Sequence, residues 1–114
     1  MDPCLFCKIV KGEIPAARVF EDAHTIVFRD ISPKAPVHLL AVPRAHYAGI
    51  HEIAAADMVI VQRLFEAVNT VVAREELTKD GYRLVVNFGA NGGQAVPHIH
   101  VHILGGRAMQ WPPG

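Results

Sequence analysis

The chain has 114 residues, 51% of them apolar and 19% charged, with eleven basic residues against eleven acidic ones, so one soluble globular domain spanning 1–114 is expected. Zero formal charge lacks the basic excess of a phosphate-backbone footprint, which weighs against nucleic-acid binding. The longest apolar stretches fall far short of the roughly 20 residues that cross a bilayer, and no cationic segment leads from Met1 into an apolar run, so a cytoplasmic protein away from membranes is expected.

Residues 4–11 set Leu5, Phe6, Ile9 and Val10 at helical spacing, with Gly12 as a stop. Residues 18–22 and 25–30 are β-rich runs joined through Asp22-Ala23-His24, which predicts a hairpin. Pro33 and Pro36 interrupt, and residues 37–42 form a third strand ended by Pro43. Residues 55–77 hold neither Gly nor Pro, and Val61, Leu64, Phe65, Val68 and Val72 follow the 3.6 period of the main helix. Asp57 suits its first turn. Asp80-Gly81 turns the chain into a fourth strand over 83–88, and the Asn91-Gly92 pair inside residues 89–93 predicts a hairpin-type connection to a last strand over 98–104. This order predicts an α+β fold: a five-stranded antiparallel sheet with one long and one short helix, both packed on one face.

The last strand carries the chemistry. In His98-Ile99-His100-Val101-His102-Ile103-Leu104, successive side chains of an extended backbone alternate. Three imidazoles then share one face while Ile99, Val101 and Ile103 enter a core. Surface histidines and a metal site are the plainer readings, since His-x-His on a strand binds zinc from one face. No carboxylate stands in the row, however, and there is no His-Glu-x-x-His segment. With an ordinary pKa of about 6.5, imidazole is partly neutral near pH 7. His100, flanked by two others, is then the natural nucleophile.

This heptapeptide resembles the His-φ-His-φ-His-φ-φ signature of the histidine triad (HIT) superfamily. Phe6-x-Lys8-Ile9-Val10-x-x-Glu13-Ile14-Pro15, Asp30-Ile31-Ser32-Pro33, Ala35-Pro36-x-His38, Val42-Pro43-x-x-His46, Val85-Val86-Asn87 and Gly92-Gly93-Gln94 resemble its Hint branch. So does the tail, from Leu104-Gly105-Gly106-Arg107 through Trp111-Pro112-Pro113-Gly114. The resemblance implies the HIT fold, with a sheet extended across a homodimer. It also implies a purine nucleoside phosphoramidase that cleaves the P–N bond of adenosine or guanosine 5′-monophosphoramidates through a nucleotidyl-His100 intermediate.

In that scheme the carbonyl of His98 holds Nδ1–H of His100, His102 contacts the phosphate or leaving group, and Asn87 and His46 line the same pocket. The base rests against Leu5, Phe6, Ile9, Phe28 and Ile31, and Asp30 accepts from the ribose hydroxyls. Backbone N–H groups from Gly93 through Gln94 and Ala95 to Val96 face the phosphate. Trp111 reaches toward the partner's active site. No cofactor is required for catalysis. Without the resemblance, Leu5, Phe6 and Ile9 would be plain helix packing and Asp30 a turn residue. His24 and His51 read as solvated and His38 as part of the sheet. Ala95 stands where the Hint branch often has a serine hydroxyl near the leaving group.

Cys4-x-x-Cys7 has three meanings. A redox pair wants a preceding strand, which is lacking. Two reduced cysteines are the plain reading. The third is a structural zinc site completed by His46 and His98, as the resemblance to several bacterial HIT proteins implies. Two rivals to the enzyme stay open: a nucleotide sensor or interaction module with weak or no catalysis, and a zinc-binding domain whose triad is structural.

Overall fold

A computed structural model describes residues 3–114; Met1 and Asp2 lie outside it. The elements, in chain order, are helix α1 (Leu5–Val10), strands β1 (Arg18–Glu21), β2 (Thr25–Arg29) and β3 (Val37–Pro43), helix α2 (Val59–Arg74), strand β4 (Tyr82–Val85), a one-turn helix α3 (Gly89–Gly92) and strand β5 (Val101–Gly105). The strands form one antiparallel sheet in the order β1-β2-β3-β5-β4. The predicted β1–β2 hairpin is present, and its turn has a chemical cause. The Asp22 carboxylate accepts from the N–H groups of His24 and Thr25, both at 2.8 Å, as Asp does in a turn.

Side-chain alternation makes the sheet two-faced. One face sends Val27, Leu39, Ala41, Val101 and Ile103 into a core with Leu64, Ala67, Val68, Val71 and Val72 of α2. These helix positions recur at the three- and four-residue spacing of a single stripe. The opposite face offers Ile26, Phe28, Leu40 and Val42 to Cys4, Phe6, Cys7 and Ile9 of the α1 segment. The expectation that both helices share one face is therefore corrected. Strands β2 and β3 are almost continuously apolar and buried, which is what a strand covered on both sides requires. Helix α1 consequently lies on the face that carries the histidines.

Several boundaries also differ from expectation: α2 ends at Arg74 rather than at residue 77, and β4 spans Tyr82–Val85 rather than 83–88. A short 3₁₀ turn, Ala55–Asp57, precedes α2. Residues 89–93 form the α3 turn rather than a tight hairpin, and Gly93 closes it in the left-handed conformation with φ 72°, a geometry that favours glycine. The last strand starts at Val101 instead of residue 98. The β3–β5 register pairs Ala41 with Val101, and continued by two residues it would set Ile99 against Pro43, which has no N–H to extend the ladder. The Ile99 N–H instead goes to the carbonyl of Tyr47 at 2.6 Å.

Candidate active site and metal-ligand cluster

The β3–β5 register sets His102 beside Leu40 and His38 beside Leu104, which brings His38 and His102 to the α1 face. His100 lies just before β5, with Ile99 and Val101 buried on the other side. His100 and His102 line a cavity of about 280 Å³ with Leu5, Phe6, Ile9, Ile14, Phe28, Asp30, Ile31, Ala95 and Val96 among its walls. That volume is at the small end for a small-molecule site, and its makeup, apolar with a few polar groups, is typical of one. Phe6 packs edge-on against both Phe28 and the His100 ring, at centroid distances of 5.6 and 5.0 Å.

Hydrogen-bond partners assign the proton on each imidazole. Nδ1 of His100 lies 2.7 Å from the carbonyl oxygen of His98. A carbonyl only accepts, so Nδ1 carries the hydrogen and Nε2 keeps its lone pair. The Lys34 N–H donates to Nδ1 of His38 at 3.0 Å, so the His38 hydrogen is on Nε2. That nitrogen stands 2.9 Å from Nδ1 of His102 and 3.4 Å from Oδ2 of Asp30. His38 thus donates to His102 Nδ1, which leaves the His102 hydrogen on Nε2. One neutral ring offers a lone pair and its neighbour offers a donor, the two ring centroids being 4.8 Å apart.

Burial keeps these rings neutral. It pushes His100 and His38 below the usual histidine value, although the His98 carbonyl and Asp30 oppose it at His100 and Asp30 opposes it at His38. His102 is pushed down to about 4, first by burial and then by the neighbouring His100 and His38. A second proton on its Nδ1 would also collide with the N–H of His38.

The third triad member does other work. His98 is fully buried, and its Nε2 donates to the carbonyl of Pro43 at 2.8 Å. Nδ1 therefore presents a lone pair to Cys4 Sγ at 3.4 Å, Cys7 Sγ at 3.6 Å and His46 Nδ1 at 3.1 Å. Cys7 Sγ is 3.3 Å from His46 Nδ1, and the four donor atoms all lie within 4.8 Å of one another. Tetrahedral zinc with two thiolates and two imidazoles separates its ligand atoms by roughly 3.3–3.8 Å, so the chemistry and spacing of this set fit that ion. The carbonyl on Nε2 is the outer partner that zinc-ligating histidines ordinarily have.

Other sequence-predicted residues fall elsewhere. Asn87 lines a separate apolar cavity beneath α2, with Leu64, Phe88 and Ile99. His46 borders a third cavity with Pro3, Leu5, Ala48, Ala95 and Pro97. The Gln94 amide bonds the carbonyl of Ala48 at 2.7 Å, and its oxygen accepts from Gly89 N, so this side chain ties two loops together. Gly93 caps α3. Trp111 is 81% exposed. His24 and His51 are exposed as expected. His38 is the residue that sequence reasoning missed. Its parity with Leu40 and Val42 was visible, but its contact with His102 depends on a strand register that spacing alone does not supply.

Comparison with known proteins gives a consistent result. The HIT domain family matches residues 11–109. The chain is similar to a solved HIT family hydrolase from Legionella pneumophila, with 50% identity, coverage of 97% of this chain and 99% of that one, and a TM-score of 0.94. It is 47% identical to the 14 kDa zinc-binding protein of Zea mays over 98% of this chain and 88% of that protein. It is also 43% identical to adenylylsulfatase HINT1 of Arabidopsis thaliana, over 98% of this chain and 77% of that protein.

Proposed function

Since the chain belongs to the histidine triad (HIT) superfamily, on its Hint-like branch, we propose that it is a nucleotide hydrolase acting on purine nucleoside 5′-monophosphoramidates, releasing AMP or GMP. The observation that carries this reading is the 2.7 Å contact between Nδ1 of His100 and the His98 carbonyl at the wall of an apolar cavity. It leaves an uncharged Nε2 as the nucleophile.

In this reaction Nε2 of His100 attacks phosphorus. The N–P bond to the ring forms as the P–N bond to the amine breaks, and the departing nitrogen keeps the electron pair and takes up a proton. Water then attacks phosphorus and gives one proton to the solvent, replacing the one the amine took up. The bond to Nε2 breaks with its electron pair returning to the ring, and the nucleoside monophosphate leaves. The Nε2–H of His102 donates to a phosphate oxygen or to the leaving nitrogen, and such donors act where charge rearranges in the transition state. The flat base lies between Phe6, Ile9 and Phe28. Asp30, one oxygen of which is held by the Ser32 N–H at 2.8 Å, uses the other toward the ribose. The backbone around Ala95 and Val96 faces the phosphate.

The name of the maize relative supports zinc on Cys4, Cys7, His46 and His98. A metal there would be structural, neutralising the thiolates and tying α1 to the triad. The protein acts as a homodimer whose paired β4 edges extend the sheet, with Trp111 directed at the partner's cavity. A sensor without catalysis would keep the cavity and need no reactive nitrogen.

The test is incubation with adenosine 5′-monophosphoramidate, acid-free denaturation at early times, and intact-mass analysis. Wild type should carry one AMP equivalent, and His100→Asn should carry none and lose at least about 10³-fold in rate. Hydrolysis with no adduct in wild type, or equal hydrolysis by His100→Asn, would overturn the reading. Adenylyl sulfate, the substrate class named for the Arabidopsis relative, belongs beside it as a second electrophile. Faster turnover of that compound would change the leaving group and keep the nucleophile.

A further inference from the structure

His98 faces two sites at once. Its ring enters the four-residue cluster through Nδ1 and is held from behind by Pro43. Its carbonyl accepts the Nδ1–H of His100. Two residues on, the nucleophile takes both its tautomer and its ring direction from that one oxygen. Helix α1 makes a second connection. Cys4 caps it, Sγ accepting from the Cys7 N–H at 3.4 Å. Between these two cysteines Phe6 lies edge-on to both His98 and His100, at 5.9 and 5.0 Å, and it is also a wall of the nucleoside cavity. The cluster therefore grips the chain on either side of the reactive ring.

We infer that this cluster is the positioning device of the active site: a zinc ion on Cys4, Cys7, His46 and His98 fixes the carbonyl that sets His100 and the Phe6 wall that meets the base. His98 is then a positioning residue of the reaction and the metal a reversible setting for it. The inference rests on His100 being the nucleophile. It goes further in stating that filling one site changes the geometry of the other. Outer partners of this kind typically change activity or affinity by about 10- to 100-fold when lost.

The experiment reads the ring itself, without substrate. In ¹⁵N-histidine-labelled full-length protein, long-range proton–nitrogen spectra report which nitrogen of His100 carries hydrogen. In zinc-loaded wild type a single Nδ1–H form is expected. Zinc withdrawal by a chelator should give averaged nitrogen shifts and weaken AMP binding, measured by calorimetry, about tenfold. One equivalent of zinc should restore both. His46 is solvent-exposed, so His46→Ala removes one ligand without opening the core, and it should behave like the metal-free protein. An unchanged His100 tautomer and unchanged AMP affinity in both metal-free wild type and His46→Ala would overturn the inference. Loss of far-ultraviolet circular dichroism on zinc removal would also overturn it, since the ion would then hold the whole fold and not one ring. None of these readouts depends on turnover, so absence of a nucleotidyl adduct would be seen separately.

Discussion

Proton placement in this protein is decided by backbone groups two steps away from the cavity. The Lys34 N–H occupies Nδ1 of His38, His38 occupies Nδ1 of His102, and His102 is left to donate from Nε2. Replacing His38 by Ala removes the donor that fixes His102, so kcat should fall about 10- to 100-fold. The His102 titration, followed by NMR, should move up from about 4. A folded His38→Ala protein with wild-type kcat and an unmoved His102 would refute the chain of donors.

The same depression has a stability consequence with a definite sign. Well above pH 6.5 His102 is neutral whether folded or unfolded and contributes no pH dependence. As pH falls from 6.5 toward 4, the unfolded chain takes up a proton that the native ring refuses, so stability declines across that window and levels off below it. Burial displaces His38 and His100 in the same direction. Thermal midpoints at pH 7, 5.5 and 4.5 should show the decline, and His102→Asn should lessen its slope relative to wild type, any acid release of metal being common to both. Ala95 lines the cavity that holds His100 and His102 and the one beside it. A hydroxyl there adds a donor near the leaving group, so Ala95→Ser should turn over faster or shift the preference among amines, and equal kinetics across several amines would refute this.

At the scale of elements, most of the architecture can be read from periodicity. Alternation in β5 and the 3.6 period of α2 are local patterns, and local patterns predict which face is buried. Leu64 is a case: its place in the helical stripe marked it as core, and it is 2% exposed among Val68, Val101 and Ile103. Leu64→Ala should cost about 2–5 kcal/mol in urea unfolding, with kcat per folded molecule preserved, because the stripe touches the sheet face away from the histidines. Placement of α1 was not legible. Its apolar residues at 5, 6, 9 and 10 require a cover, but no spacing states which side of a sheet supplies it. The Asn91-Gly92 pair misled for a related reason. Its turn preference is real, yet a single helical turn ending at Gly93 meets it as well as a hairpin does. His38 lay beyond reach because the pairing of β3 with β5 is a long-range choice, and Asp30 could be given a role only through resemblance.

For the molecule as a whole, the sheet ends at β4, which pairs only with β5 among the described residues. Tyr82, Val86, Phe88 and Phe65 are large apolar side chains left exposed in and near this edge and on α2. Bare strand edges invite pairing with a second chain. The proposed homodimer should give twice the 12.5 kDa chain mass by light scattering at micromolar concentration, and a monomer mass would contradict it. A Val86→Lys substitution, which puts a charge on an exposed apolar position at the end of β4, should shift the equilibrium toward monomer. Arg83 of this strand holds the carbonyl of Gln110 at 2.9 Å, so the tail that carries Trp111 is anchored at this same edge. Among the described residues no helix is long and apolar enough to cross a membrane.

The alternation that runs from His98 to Ile103 leaves a mark on how such a chain can vary. Losing or gaining a single codon inside that stretch would exchange aliphatic and imidazole neighbours wholesale, flooding the interior with polar rings and stripping the cavity of its reagents. Mutation can change letters here, but not their number.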